Sequence, residues 1–333
     1  HVKKIVAHGS LLIRQRQCTC SVKSCQNPPM RFSVKATAVI AASLIAFTGC
    51  GVSAESVVTI TSAQSIALDA TENPAPQRVV ALANGSAEII ASLGYLTVLV
   101  GRDIASTSPE LEGVPIATAG HQVVPEKIFE LNPDVVLIDN TTGPATALDI
   151  VKEAGIKVVM INEAWQLSDI EKKITVIGEV IGAQPAAAQL VQKLNSALQA
   201  SGKERPGVRV AFLYLRGGSA IYLLGGQGSG TDSLLEHLGA IDVGAQKFTQ
   251  AFSPITSESL IATDPEIILV MSKGLESVGG IDGLVSLPGI AQTKAGKNRA
   301  VIAVDDSLLL SFGPRTPDLL RQLSSAIGQV SGR

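Results

Sequence analysis

Pro185-Ala-Ala-Ala-Gln-Leu-Val-Gln-Lys-Leu-Asn-Ser-Ala-Leu-Gln-Ala-Ser-Gly-Lys203 reads as one helix. Ala187, Leu190, Val191, Leu194 and Leu198 recur at steps of three and four, the period of a helix face. Pro185 suits a first helical turn and Gly202 a stop. At 1.5 Å per residue, about 17 residues make a rod of roughly 25 Å. The same unit stands on either side of it. Glu126-Lys-Ile-Phe-Glu-Leu-Asn-Pro-Asp-Val-Val-Leu-Ile138 precedes the rod, and Glu258-Ser-Leu-Ile-Ala-Thr-Asp-Pro-Glu-Ile-Ile-Leu-Val270 follows it. Each unit has a glutamate, a short apolar helical turn, a proline seven residues on, an acid, then a strand that reads as buried. A unit written twice about a stiff rod predicts two similar lobes.

Strand-like and helix-like segments alternate around these units. Arg78–Ala83, Leu96–Val100, Val135–Asp139 and Lys157–Ile161 read as strands of the first lobe. Arg209–Leu215, Ala220–Leu224, Ile267–Met271 and Ala300–Val304 read as strands of the second. The alternation predicts parallel βαβ units. The expected class is α/β, with two Rossmann-like lobes of mostly parallel sheet flanked by helices, joined by a single rigid helix. The expected segments are a first lobe over 78–184, the inter-lobe helix over 185–203 and a second lobe over 204–333. Residues 51–77, rich in Ser, Ala and Thr and ending in Asn-Pro-Ala-Pro, read as a flexible tether, with Val57-Val-Thr-Ile-Thr61 able to pair as a strand.

Composition narrows the function. Hydrophobic residues at 46% and charged residues at 17% describe an ordered globular chain. Aromatics at 3% argue against base-stacking surfaces. The net charge of −2 hides an asymmetry: residues 1–49 carry seven Lys and Arg and no acid, which leaves 20 basic against 29 acidic residues beyond them. Such a balance does not suit a phosphate backbone, so no nucleic-acid partner is expected.

The basic N-terminal part reads as targeting sequence. Met30-Arg-Phe-Ser-Val-Lys35 is a short basic start, and Ala38–Phe47 is an apolar stretch too short to span a bilayer. Thr48-Gly49-Cys50 follows, and the whole of 30–50 resembles a bacterial lipoprotein signal in which Cys50 becomes the lipidated N-terminus. Phe47 stands where an aliphatic residue is usual. An ordinary secretory signal with an incidental cysteine is the alternative. Residues 1–29, with Cys18, Cys20 and Cys25, read as an upstream extension. No cysteine follows Cys50, so neither a disulfide nor thiol chemistry is expected in the exported domain.

Catalytic motifs are missing where an enzyme would need them. Gly225–Gly230 fits neither phosphate-loop pattern and reads as a turn opening a helix at Thr231. There is no Gly-x-Ser-x-Gly elbow, and only His121 and His237 follow the signal. No enzyme activity is expected. His237 reads as a helix-surface residue. His121, in a loop after Ala119-Gly120, is either a solvated residue or a ligand. Tyr214 is either strand packing or a ligand. Tyr214 and Arg216, two apart on a strand, point to one face, and a guanidinium beside a phenol favours the phenolate. Phenolate is a hard ligand suited to ferric iron. An iron between the lobes could take His121 from the first and Tyr214 from the second.

From about Arg78 to Leu323 the chain resembles the helical-backbone substrate-binding proteins of bacterial ABC transporters, which serve vitamin B12, siderophores and haem. Within that class it is most similar to the haem-binding lipoproteins. Gly120-His121, Tyr214-Leu-Arg216-Gly217, Met271–Gly280 with Asp282-Gly-Leu, and Asp305-Asp306 through Leu308–Arg315 carry the likeness. It implies that His121 and Tyr214 are axial ligands of ferric haem and that Arg216 bonds the Tyr214 oxygen. It also places Met271 beside the porphyrin, although a strand-end core methionine is an equal reading; Tyr222 is a competing ligand. Lys273 and Arg315 are candidate propionate contacts. Glu126 and Glu258 would dock on a permease, and as helix-start acids they also complement the helix dipole. The implied protein is a monomer tethered by its lipid to the outer face of the cytoplasmic membrane, capturing haem for import. A siderophore or cobalamin carrier, or an enzyme on a similar fold, are the alternatives.

Overall fold

The computed structural model describes residues 56–71, 77–119, 122–201, 205–217 and 221–332. The signal, the extension, Cys50 and His121 lie outside the described residues. Thirteen strands occur among them. They are Val57–Ile60 (β1), Val79–Ala81 (β2), Leu99–Arg102 (β3), Thr118–Ala119 (β4), Gln122–Val123 (β5), Val135–Ile138 (β6) and Lys157–Met160 (β7). Arg209–Arg216 (β8), Ile221–Gly225 (β9), Ile241–Asp242 (β10), Phe252–Pro254 (β11), Ile267–Met271 (β12) and Val301–Val304 (β13) complete them. The α-helices of the first half are Ser86–Ser92 (α1), Pro125–Glu130 (α2), Ala145–Glu153 (α3) and Leu167–Val180 (α4). Gln184–Ala200 is α5. Then come Thr231–His237 (α6), Ser257–Thr263 (α7), Ser272–Ser277 (α8), Gly280–Ser286 (α9), Lys294–Lys297 (α10), Asp306–Leu309 (α11) and Thr316–Ser331 (α12).

Two main sheets result. The first is wholly parallel, in the order β3-β2-β6-β7. In the second, β1, β13, β12, β8 and β10 are parallel, the hairpin partner β9 runs antiparallel to β8, and β11, antiparallel to β9, takes the direction of β8 again. The linking rod is α5. Ala187, Leu190, Leu194 and Leu198 form its buried stripe, and it packs on α4 and α12. Fully burying a leucine contributes about 1.5–3 kcal/mol, so the stripe holds the rod firmly. One apolar core runs through α1, α4, α5 and α12 and joins the inner faces of both sheets, from Val79 and Leu137 to Phe212 and Leu269. Each outer sheet face has its own core, one around Val136 and Ile128 and the other around Val270 and Leu260. Lobes that share a core and a rod are poorly placed for wide hinge motion.

The repeat seen in the sequence is a repeat of hydrogen bonds. Asn132 and Asp264, at matching positions, both take positive φ, 43° and 39°. Asn and Asp tolerate this region better than other side chains. The acids that follow have matching tasks: Asp134 accepts from the Arg78 N–H (2.6 Å), and Glu266 from the Arg209 N–H (3.1 Å). The two guanidinium groups reach back to cap the helix ends, Arg78 to the Leu131 carbonyl (2.8 Å) and Arg209 to that of Thr263 (2.6 Å). β2 and β8 thus stand beside β6 and β12 in the same way.

The tether reading does not hold for 57–71. β1 pairs with β13, Val57 opposite Val301, because a β-branched run meets an open parallel edge there. The chain then crosses to the first lobe, where Leu68 N–H bonds the Ser92 carbonyl (2.8 Å) and Thr71 N–H that of Gly94 (2.8 Å). The first strand of the fold therefore belongs to the second sheet.

Asp242 closes β10. Its Oδ1 accepts from the Gly244 and Ala245 N–H groups (2.8 and 2.9 Å), while Oδ2 is buried without a partner among the described residues. Burial pushes its carboxyl up to about 6. A raised folded value means that the folded chain holds a proton the unfolded chain releases. That contribution is complete below about pH 4 and is lost as the pH rises through 6. Asp242→Asn keeps the accepting oxygen. Its melting temperature at pH 7 is expected to equal or exceed that of the unsubstituted protein, with the advantage vanishing near pH 4; calorimetry across that range checks it.

Candidate functional site

In open α/β sheets, ligands gather beyond the carboxyl ends of the strands. β8 delivers Tyr214 and Arg216 there. Along one face of that strand, Val210 and Phe212 are buried, Tyr214 is half-buried and Arg216 is exposed. The face passes from core to amphipathic ring to charge as the strand leaves the interior. Arg216 Nε donates to the Tyr214 oxygen at 2.9 Å, and its guanidinium carbon lies 5.3 Å from the ring centroid. Phe252 on β11 meets the Tyr214 ring edge-on, at 5.4 Å between centroids, and itself abuts Phe212 at 6.1 Å. The phenol is thus steered by a cation and wedged by an aromatic stack. Nothing in the local sequence flagged Phe252, which is 38 positions away and reaches Tyr214 only through the antiparallel β8–β9–β11 pairing.

Register settles the neighbours. Val270 pairs with Leu213, so Met271 lies one step on, alongside Tyr214. Met271 is only 5% exposed and packs in the shared core. Tyr222 pairs with Leu215 and packs in the outer core, on the other face of the sheet from Tyr214. Its hydroxyl is buried without a partner among the described residues, and burial raises its pKa. It is not a competing ligand on the Tyr214 face. Gly217 ends the strand where a Cβ would stand 1.9 Å from the Ser277 carbonyl oxygen, and its N–H bonds Ser277 Oγ at 2.9 Å. That close approach seats α8 beside the site, with Lys273 exposed on it.

His121 lies outside the described residues, between β4 and β5. Its flanks are held: Lys127 Nζ donates to the Thr118 carbonyl (2.9 Å), and Val123 N–H to that of Gly143 (2.8 Å). Glu126 and Glu258 sit in the first turns of α2 and α7. Both are exposed, and neither has an ion-pair partner among the described residues.

Arg315 is elsewhere than expected. It is buried, with Nε donating to Glu88 Oε2 (3.0 Å), Nη2 to Glu88 Oε1, and Nη2 also to the Ser307 carbonyl (3.3 Å). A guanidinium so committed is no propionate contact. It belongs instead to a strap, residues 305–316, fastened to the first lobe. Asn84 Nδ2 bonds the Leu310 carbonyl (3.1 Å), and the buried Lys173 bonds that of Ser311 (3.1 Å). Burial lowers Lys173 to about 8, against the pull of Glu88, Asp139 and Glu163. A cavity of about 70 Å³ remains between the strap and the ends of β2, β6 and β7, lined by Asn84, Asp139, Ile161, Trp165 and Lys173 among others. A larger groove, about 730 Å³, lies between residues 61–65, 107–110 and 305–322. Neither is lined by Tyr214 or Arg216.

Comparison with known proteins adds the relatives. The profile of a family described as periplasmic binding protein matches residues 79–308. An uncharacterized ABC transporter substrate-binding lipoprotein, YvrC of Bacillus subtilis (strain 168), is 26% identical over 266 residues, covering 78% of this chain and 82% of its own. The crystal structure of the heme binding protein HmuT superposes with a TM-score of 0.72 at 29% identity, over 81% of this chain and 97% of that one. Variants of HmuT in which an arginine, a histidine or a tyrosine is replaced by alanine superpose as well. The periplasmic heme-binding protein RhuT from Roseiflexus sp. RS-1, in apo form, gives a TM-score of 0.72 at 32% identity, over 77% of this chain and 100% of its own. The shared architecture is two-lobed, with parallel sheets flanked by helices.

Proposed function

The chain belongs to the periplasmic binding protein family, and on that premise we propose that it captures ferric haem outside the cytoplasmic membrane and delivers it to the permease of an ABC importer. The observation that carries the reading is the Tyr214–Arg216 pair, hydrogen-bonded at 2.9 Å at the carboxyl end of β8. The tyrosine and arginine replaced in the HmuT variants are likewise two positions apart, and the third replaced residue is a histidine. In this reading Tyr214 holds the iron from the second lobe and His121 holds it from the first. Arg216 stabilises the phenolate once iron takes the place of the proton. Met271 backs the strand end beside Tyr214, and Phe252 offers an aromatic edge to the porphyrin. Lys273, exposed at the start of α8, is the cation left for a propionate. The ligand is carried and not altered, so no catalytic group is assigned.

Cys50 would anchor the chain by a lipid, with the folded part a monomer on the outer face of the membrane. Glu126 and Glu258, one on each lobe, would dock on basic groups of the permease. Equilibrium dialysis of the full chain against ferric haem, cobalamin and a ferric siderophore tests the choice of cargo. Retention of one haem per chain, with the other two passing freely, is the expected result. Retention of cobalamin or siderophore in place of haem would overturn the cargo while leaving the family untouched.

A further inference from the structure

The two docking helices share more than a glutamate. In α2, Ile128 is buried and Phe129, three residues beyond Glu126, is 39% exposed. In α7, Leu260 is buried and Ile261, three residues beyond Glu258, is also 39% exposed. Residues three apart on a helix are surface neighbours. The buried residue in each helix fixes its rotation, so the glutamate and the apolar side chain come out on the solvent side together. The helices lead into β6 and β12, which the repeated Arg78–Asp134 and Arg209–Glu266 bonds place alike in their sheets. Each lobe therefore carries the same two-part patch, an exposed carboxylate beside an exposed large apolar side chain.

We infer that Phe129 and Ile261 are docking knobs, each entering an apolar hollow that lies next to a cation on the permease. The inference rests on the docking reading above and adds what the glutamates lack. Exposed charges steer an encounter but hold it weakly, whereas a buried apolar side chain slows dissociation. The patch chemistry selects this occupant. An anionic bilayer would repel Glu126 and Glu258. A second copy of this chain would set carboxylate against carboxylate. A protein presenting a basic, partly apolar surface twice would satisfy both lobes at once.

The test is uptake of labelled ferric haem by cells that lack their own copy and express the full chain or a variant at equal surface level. Phe129→Ser with Ile261→Ser is expected to cut the uptake rate about 10-fold or more. Haem retained at the cell surface should be unchanged, and Phe129→Leu with Ile261→Val should restore uptake. Glu126→Ala with Glu258→Ala is run beside it. Loss of uptake in the glutamate variant alone would overturn the knobs and leave the docking reading standing. Unimpaired uptake in both would overturn the docking reading and the knobs with it. A photoreactive side chain in place of Ile261 that cross-links chiefly to lipid or to a second copy of the chain would also overturn the assignment.

Discussion

Glu88→Leu is expected to lower the stability of the folded chain by about 3–5 kcal/mol, the largest effect of any single change considered for the scaffold. Glu88 and Arg315 are 1% and 5% exposed, and they join α1 of the first lobe to the strap that enters α12. Replacing the carboxylate leaves a guanidinium buried with, among the described residues, only the Ser307 carbonyl as a remaining partner. Arginine does not shed its proton within a protein's pH range, so this cost persists at every working pH. The reciprocal change behaves differently. Burial, more than the opposing pull of Arg315, already pushes Glu88 up to about 7. In Arg315→Met the carboxyl can simply stay protonated, so its deficit should shrink as the pH falls from 8 to 5. Glu88→Leu combined with Arg315→Met removes both charges and should recover most of the loss, because two apolar groups of similar volume need no partner. Urea unfolding of the three variants at pH 5 and pH 8 checks the order. A Glu88→Leu protein as stable as its parent would show that the pair contributes nothing to the strap.

Tyr214→Phe is expected to weaken ferric haem binding by roughly 100-fold or more, and Arg216→Ala by about 10- to 100-fold. The first removes the proposed ligand and the second only its orienting hydrogen bond. Neither should disturb the fold. Phenylalanine keeps the edge contact with Phe252, and Arg216 is exposed. Competition for haem against apomyoglobin measures both affinities, and circular dichroism confirms the fold. Equal losses in the two variants would argue that Arg216, and not the phenol oxygen, makes the main contact.

The sequence carried the lobes because they rest on short-range order. A helix stripe at three and four residues and a glutamate-to-proline unit written twice are local patterns, and α5, β6 and β12 follow them. Tyr214 and Arg216 could be paired for the same reason, since a strand repeats every two residues. The matching Arg78 and Arg209 each open a β-rich run, but a lone arginine at a strand start carries no pattern that announces its capping role. What was not legible depends on distance along the chain. Glu88 and Arg315 are separated by 227 positions, and no periodicity links them. Whether Tyr222 shares the face of Tyr214 depends on the hairpin register that sets it opposite Leu215. The capture of 57–60 by the second sheet needed an open edge at β13 that only the fold supplies.

In the proposed haem complex the iron is held from both lobes, by Tyr214 and by His121. An absorption titration of residues 51–333 with ferric haem, repeated on Tyr214→Phe and His121→Ala, tests it most directly. A saturable one-to-one spectrum distinct from free haem, changed by each substitution in its own way, is the predicted result. A spectrum that stays that of free haem with the unsubstituted protein, or a bound spectrum that neither substitution alters, would contradict it.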